Sequence, residues 1–192
     1  MRDSPSCAYL LVFMSTTKLK PTHAARRVIG AFAEDVARKL SFGPGDAIQP
    51  LIKRLGGQII VKNPVSYTDR QPESIRVRGA NDFTIYVPGM TSLERDRFTI
   101  AHELGHLLLH YPLFAKEHSG QEMIATRWVD ESDKEQQRAE WEANWFAAAF
   151  LMGSQAFRKA YEAANKNVQA VAIEFGVSVA AAEVRVKTLG LA

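Results

Sequence analysis

The spacing of apolar and polar residues predicts a helical first part of the chain followed by a small sheet. Apolar residues recur at helical spacing over 22–40, and a Gly-Pro-Gly break separates this stretch from a short helix over 46–55. A strand over 58–61 follows. Two segments that alternate with period two, 74–78 and 83–87, predict a hairpin with one solvated face. We therefore expect a sheet of about three strands.

The second half of the chain is predicted to be mainly helical. Residues 91–94 form a capping box that predicts the start of a helix, and Pro112 predicts its end. After a polar, acidic stretch, a long helix is expected over 134–152, apolar nearly all round from Trp141 onward. Three shorter helices complete the chain: 155–164, 168–175 and 178–189. This order predicts an α+β fold, with a small, mostly antiparallel sheet packed against several helices and a helix-turn-helix-like tail.

Composition narrows the class of protein. The chain has 192 residues, of which 46% are hydrophobic and 23% charged, as in an ordinary folded domain. No apolar run is long enough to cross a membrane, and the single Cys7 excludes both a disulfide framework and a Cys-only zinc site. The short apolar run at 8–14 has no cleavage site after it, so we expect a cytoplasmic protein with a flexible leader over 1–21. Met14 is an alternative start.

Charge is spread unevenly along the chain. Residues 1–56 hold nine Lys/Arg and four Asp/Glu, whereas residues 117–142 hold three Lys/Arg and eight Asp/Glu. We interpret these segments as two solvated faces of opposite sign, although the acidic one could recruit a basic partner. The tail from Ser154 onward has five Lys/Arg and three Asp/Glu, which is too weak a charge to favour direct DNA binding.

The sequence His102-Glu103-Leu104-Gly105-His106 lies within the helix that the capping box starts. Histidines at i and i+4 are only about 40° apart around a helix, so both rings can reach one metal ion. Glu103 then lies beside the metal, where it can act as a general base. Gly105 in a helix interior indicates close approach by another segment. The pattern therefore predicts a hydrolytic metal site.

A site of this type usually takes a third protein ligand, for which the downstream sequence offers four candidates. These are His118, the cluster of Asp130, Glu131 and Asp133, then Glu140, and Glu142. A carboxylate in an apolar helix is costly unless it is paired or binds a cation, which favours the helix over 134–152. Glu140 shares a face of that helix with Asn144 at i+4, so we expect Glu140 to bind the metal and Asn144 to orient a ligand.

Two further residues near the site have simpler interpretations. Glu142 points about 200° away from Glu140, which predicts a surface or ion-paired residue. His110 lies four residues after His106, but successive steps of about 40° carry it away from His102. We therefore expect His110 to be a histidine at a helix end.

Two segments carry a resemblance to a known family. The stretch 97–110 resembles the signature helix of the ImmA/IrrE metallopeptidases, and 140–152 resembles the family's second motif. Phe175-Gly176-Val177-Ser178, with Arg185 and 189–191, resembles the family's helical tail. The likeness extends over about 22–191, and it departs at Gly153, where the family commonly has proline.

This resemblance implies a zinc-dependent, thermolysin-like endopeptidase. Its ligands would be His102, His106 and Glu140, with Glu103 catalytic, in a zincin-like core over 22–153 followed by a tail over 154–192 packed on that core. The metal would be Zn²⁺, although His and Glu also bind Mn²⁺. Family members cut helix-turn-helix repressors of the Xre or Cro/CI type and so relieve repression of a mobile element, prophage or stress response. Other members act as toxin partners of an Xre-type antitoxin, which is the alternative function.

Two details of substrate handling stay open at the level of sequence. The strand over 83–87 directly precedes the metal helix, so we expect an exposed edge there to pair with an extended substrate. Oxyanion stabilisation could come from Tyr111, His118 or Arg97.

Overall fold

The computed structural model describes residues 17–62, 73–127, 130 and 132–191. Within this part of the chain a four-stranded sheet packs against helices. The elements in chain order are α1 (Arg26–Lys39), α2 (Ile48–Arg54), β1 (Gly57–Lys62), β2 (Glu73–Gly79), β3 (Asp82–Pro88), α3 (Leu93–Gly105), a π-helical turn (His106–His110), α4 (Tyr111–Glu117), β4 (Met123–Thr126), α5 (Lys134–Leu151), α6 (Ser154–Ala163), α7 (Val168–Phe175) and α8 (Val179–Thr188). The predicted α+β class is confirmed.

The sheet has the strand order β1-β3-β2-β4. Strand β1 pairs with β3 in parallel, while β2 pairs antiparallel with both β3 and β4, so the sheet is mostly antiparallel as predicted. The expected count of three strands is wrong because β4, only four residues long, lies inside the acidic stretch and has no alternating pattern. The expected substrate edge is also wrong, because β3 is paired on both sides and the outermost strands of the described sheet are β1 and β4.

Helix α5 is the central helix of the fold and lies between α1 and α3. Its buried residues are mainly alanine and phenylalanine: Ala139, Ala143, Phe146, Ala147, Ala149 and Phe150. Small side chains let neighbouring backbones approach closely, and a Cβ placed on Gly105 would lie 3.2 Å from Ala143 Cα and 3.3 Å from Phe146 Cβ. The close approach predicted from Gly105 is therefore the contact between α3 and α5.

Pro112 does not end the helix that begins at Leu93, contrary to the prediction. The backbone widens into the π-helical turn His106–His110 and continues as α4, with Pro112 in its first turn. Proline is tolerated in the first turn of a helical segment, where its missing N–H removes no essential hydrogen bond. The chain therefore remains helical to Glu117.

The last three helices pack on the rest of the fold. Gly176 adopts a left-handed conformation with φ 61° and ends α7, which glycine does without steric cost. The buried Arg185 of α8 donates from Nε to the Met152 carbonyl at 2.8 Å and pairs with Glu34 of α1 at 3.2 Å. These contacts attach α8 to the C-terminal end of α5 and to α1.

The boundaries 1–21, 22–153 and 154–192 stay predictions. Residues 1–16 of the expected leader lie outside the described part of the chain, whereas Leu19 packs into the core with 7% of its surface exposed. Thr17 donates its backbone N–H to the Ile124 carbonyl of β4 at 3.0 Å. In the described residues, each helix is too short or too polar to cross a bilayer.

Candidate metal centre

Helix α3 places both histidines of the HExxH pattern beside α5. Ser92 caps the helix by accepting a hydrogen bond from the Arg95 backbone N–H at 3.4 Å, one residue later than the capping box predicts. The apolar face of α3 is buried and includes Ile100, Ala101 and Leu104. Because this face anchors α3, His102 and His106 are held toward α5 on neighbouring turns.

Glu140 of α5 closes the cluster. Its Oε2 lies 3.1 Å from His102 Nε2, its Oε1 lies 3.2 Å from His106 Nε2, and the two Nε2 atoms are 2.9 Å apart. In a tetrahedral zinc site with bonds of about 2.0–2.1 Å, ligand atoms lie roughly 3.3 Å from one another. The separations are close to that value, so the residues present fit a tetrahedral metal ion. Among the described residues, this is the cluster with metal-binding geometry.

Hydrogen bonds at the far side of each ring support the same arrangement. His102 Nδ1 lies 2.9 Å from Asn144 Oδ1, which can only accept, so this nitrogen carries the proton. His106 Nδ1 lies 3.0 Å from His110 Nδ1. Because both Nδ1 atoms make hydrogen bonds, both rings direct Nε2 toward Glu140. The two Nε2 atoms then face each other with lone pairs 2.9 Å apart, an arrangement that a cation between them stabilises.

The electrostatics of the metal-free site reflect its burial. Burial by itself raises the pKa of the Glu140 carboxyl, but hydrogen bonds from His102 and His106 outweigh it and hold the pKa far below its ordinary value. Burial lowers the pKa of His106 to about 4, so this ring is neutral at pH 7. Burial also acts to lower the pKa of His102, yet Glu140 and Glu103 together raise it. An ionised carboxylate beside a neutral imidazole is a suitable ligand pair for a divalent cation.

Glu103 lies beside the cluster, on α3, with 3% of its surface exposed. The Ser74 hydroxyl of β2 donates to its Oε2 at 3.1 Å. Burial, together with the charge of Glu140, raises the pKa of the Glu103 carboxyl to about 7, although His102 and the hydrogen bond from Ser74 act to lower it. A carboxyl with a pKa near neutrality can both accept and return a proton at physiological pH, as a general base requires.

The other candidate ligands lie elsewhere. Asp133 caps α5 by accepting from the Glu135 and Gln136 backbone N–H groups, and it pairs with Lys18 at 3.0 Å. Asp130 accepts hydrogen bonds from Ser132. His118 is exposed at the end of α4, and Glu131 lies outside the described residues.

The structure reduces the choice of oxyanion-stabilising residues. Arg97 is directed away from the metal cluster: it donates to the Asp46 carbonyl and lies over the Phe42 ring, beside Gly176. His118 stacks on Phe114 with ring centroids 4.6 Å apart. Arg97 therefore supports the packing of the last helices rather than the reaction.

Sequence reasoning missed the contact of Ser74 with Glu103 and the position of His110 beside His106. Ser74 is an ordinary strand residue by its pattern, and nothing in the sequence connects it with Glu103. His110 and Glu142 are both fully or almost fully buried, at 1% and 0% exposure, and lie 3.3 Å apart. The surface alternative for Glu142 is wrong and the ion-paired alternative is correct. The available signal for His110 was its position four residues after His106, the last residue of the HExxH pattern.

Comparisons with known proteins agree with the fold and identify a family. The Peptidase_M78 family model, described as the IrrE N-terminal-like domain, matches residues 64–187. A solved structure of a Mycobacterium tuberculosis transcriptional regulator is similar, with a TM-score of 0.57 and 17% identity, over 84% of this chain and 46% of that chain. The likeness concerns the fold, and this chain spans less than half of that protein. A sequence search against curated proteins gives no match. Because the family match covers more than half of the chain and includes both helices of the candidate site, the chain belongs to the Peptidase_M78 family of IrrE N-terminal-like domains.

Proposed function

We propose that the chain is a zinc-dependent endopeptidase that cleaves a helix-turn-helix repressor of the Xre or Cro/CI type. Cleavage would relieve repression of a mobile element, prophage or stress response in the cytoplasm. The observation that carries the peptidase proposal is the convergence of His102 Nε2, His106 Nε2 and the Glu140 carboxylate, with the buried Glu103 beside them. Membership of a peptidase family supports it.

Each residue of the site has one task in this proposal. His102, His106 and Glu140 hold the metal, and Asn144 orients the His102 ring through its Oδ1. A bound zinc ion would act as a Lewis acid that polarises the scissile carbonyl and lowers the pKa of the attacking water. Glu103 accepts the proton of that water and passes it to the leaving amine, while the Ser74 hydroxyl fixes the orientation of the carboxylate.

The donor set favours zinc over manganese. Two imidazole nitrogens and one carboxylate with tetrahedral spacing suit Zn²⁺, whereas Mn²⁺ prefers six oxygen-rich ligands. Comparing cleavage by the zinc-loaded and the manganese-loaded protein tests this preference.

The repressor substrate rests on the family alone. The toxin-partner alternative has no supporting observation in the structure, and it differs from the peptidase in one respect: a binding partner needs no Glu103. Direct DNA binding is disfavoured, because the tail from Ser154 onward carries only five Lys/Arg against three Asp/Glu, a weak positive charge for contacts with phosphate groups.

Cleavage of a helix-turn-helix repressor encoded beside the gene tests the proposal directly. The zinc-loaded protein, the manganese-loaded protein and a zinc-loaded Glu103→Gln variant are each incubated with the repressor, and intact mass is measured. We expect one discrete cut that zinc supports and that Glu103→Gln slows by about 10²–10⁴-fold. Glu183→Gln, at an exposed position of α8, is the matched control and should cut like the wild type.

The outcomes separate the alternatives. An uncut repressor that co-elutes equally with the wild type and with Glu103→Gln would support the binding-partner function instead. Cleavage that persists after chelation of the metal would contradict the assigned site.

A further inference from the structure

A buried row of polar side chains extends from the metal cluster away from the proposed cleft. His110, the last residue of the π-helical turn, places Nδ1 3.0 Å from His106 Nδ1 and Nε2 3.3 Å from Glu142 Oε2. Both His110 and Glu142 are almost completely buried. Neither residue belongs to the ligand set, and the proposed reaction uses neither of them.

The hydrogen bonds in this row have one consistent direction. If His106 binds a metal through Nε2, its only proton is on Nδ1, so this atom must donate to His110 Nδ1. His110 then accepts at Nδ1 and carries its own proton on Nε2. That proton points at Glu142 Oε2, which can only accept. Each nitrogen in the row therefore has a defined role, with no donor facing a donor.

Glu142 is held firmly at the far end of the row. Its Oε2 accepts from the backbone N–H of Thr22 at 2.7 Å and from the Thr22 hydroxyl at 2.8 Å, and its Oε1 accepts from Arg138 Nε at 3.0 Å. Arg138 in turn donates to the Ala24 carbonyl at 2.7 Å. The carboxylate is thereby fixed by both α5 and the segment that precedes α1.

The local backbone is consistent with a role for His110 in the site. The turn His106–His110 is π-helical, a rare form that occurs mostly as single turns within α-helices and frequently at functional sites. It places His110 beside His106 and Glu142 rather than in the ligand cluster. The two ligand histidines also differ: His102 is held by the neutral amide of the exposed Asn144, while His106 is connected to a buried carboxylate.

We infer that His110 is a positioning residue which, held by Glu142, fixes the orientation and tautomer of His106 for metal binding through Nε2. This inference rests on the proposed function, because it takes His102, His106 and Glu140 to be the metal ligands. Residues that orient a ligand in this way typically contribute a factor of about 10–100 in metal affinity.

Zinc affinity, measured by competition with a chromophoric chelator, tests the inference. We expect His110→Phe, which keeps an aromatic ring but removes both nitrogens, to weaken zinc binding by about 10–100-fold. It should also change the visible absorption of the Co²⁺-substituted protein, which reports ligand geometry. His110→Asn offers an amide oxygen in place of Nδ1, so we expect it to restore most of the affinity.

Two controls separate positioning from general damage. His118→Phe removes an exposed histidine from the same helical region, and Phe175→Leu weakens the packing of α7 on Phe157 without touching the site. Both should bind zinc as the wild type does. If His110→Phe also binds zinc within twofold of the wild type with an unchanged Co²⁺ spectrum, or if Phe175→Leu loses as much affinity as His110→Phe, the inference is wrong.

The tautomer of His110 gives a measurement that needs no variant. In the zinc-loaded wild type, ¹⁵N NMR of the imidazole groups should show His110 protonated on Nε2 and not on Nδ1. A proton on Nδ1 would overturn the inference. Failure of the underlying site would be seen differently: the wild type would then bind zinc no more tightly than Glu140→Gln does.

Discussion

Glu103→Gln should stabilise the metal-free protein at alkaline pH, although it removes the proposed general base. The Glu103 carboxyl is 3% exposed, and burial together with the charge of Glu140 raises its pKa from 4.5 to about 7. Above pH 7 the folded, metal-free protein must therefore keep an ionised carboxylate in a poorly solvated position. Glutamine has almost the same shape and can still accept the hydrogen bond from Ser74, but it carries no charge.

The magnitude follows from the shift in pKa. A rise from 4.5 to about 7 corresponds to about 3 kcal/mol, at 1.36 kcal/mol for each pKa unit. Because the folded pKa is raised, the contribution of Glu103 to stability is complete below pH 4.5, falls as the pH rises toward 7, and is constant above that. We expect Glu103→Gln to exceed the wild type by about 2–3 kcal/mol at pH 8 and to differ little near pH 4.5.

His106 makes the comparison between variants necessary. Its pKa is lowered from 6.5 to about 4, so the unfolded chain takes up a proton first and stability falls as the pH drops through this range. The two groups therefore act in opposite directions between about pH 4.5 and 6.5, so the pH dependence of the wild type alone does not report the effect of Glu103. The difference between the wild type and Glu103→Gln removes the contribution of His106 and reports the Glu103 carboxyl together with its interaction with His102.

The assay is urea unfolding in the presence of EDTA, followed by circular dichroism at pH 4.5, 6 and 8. Glu183→Gln, an exposed substitution of the same type, is the matched control. Zinc should abolish the advantage of Glu103→Gln, because a cation beside the carboxylate stabilises its ionised form. A difference in unfolding free energy that is the same at pH 4.5 and pH 8 would refute the assigned burial and pKa of Glu103.

Two further substitutions test the packing around the site. Gly105→Ala gains about 1 kcal/mol of helix propensity, but its Cβ would lie 3.2 Å from Ala143 Cα. We therefore expect a net destabilisation of about 1–2 kcal/mol, measured by chemical unfolding, and weaker zinc binding, measured by chelator competition. An increase in stability would show that α5 can move aside. Arg97→Met removes a buried guanidinium whose Nε and Nη2 find no hydrogen-bond partner among the described residues. We therefore expect stability within about 1 kcal/mol of the wild type or higher, and an unchanged rate of repressor cleavage. If Arg97→Met reduced the cleavage rate more than tenfold, Arg97 would have a role in catalysis.

Local patterns in the sequence were sufficient to predict most helices and strands and the placement of the two metal-site histidines. The positions of His102 and His106 follow from helical spacing alone, since one turn of helix determines their separation. The same spacing selected Glu140 over Glu142 on α5, and the structure indeed brings Glu140 to both rings. Such inferences succeed because each depends on residues within one helix, where the geometry does not depend on the rest of the fold.

The missed features all depend on contacts between distant segments. Strand β4 is too short to show a pattern of its own and exists because β2 offers it a partner. Ser74 reaches Glu103 across 29 positions in the chain, and Thr22 reaches Glu142 across 120. The sequence by itself determined which residue types could bind a metal and on which helical faces they lie. Only the tertiary structure decided which of them meet and how strongly burial perturbs them, because desolvation and long-range hydrogen bonds arise only when separate elements pack together.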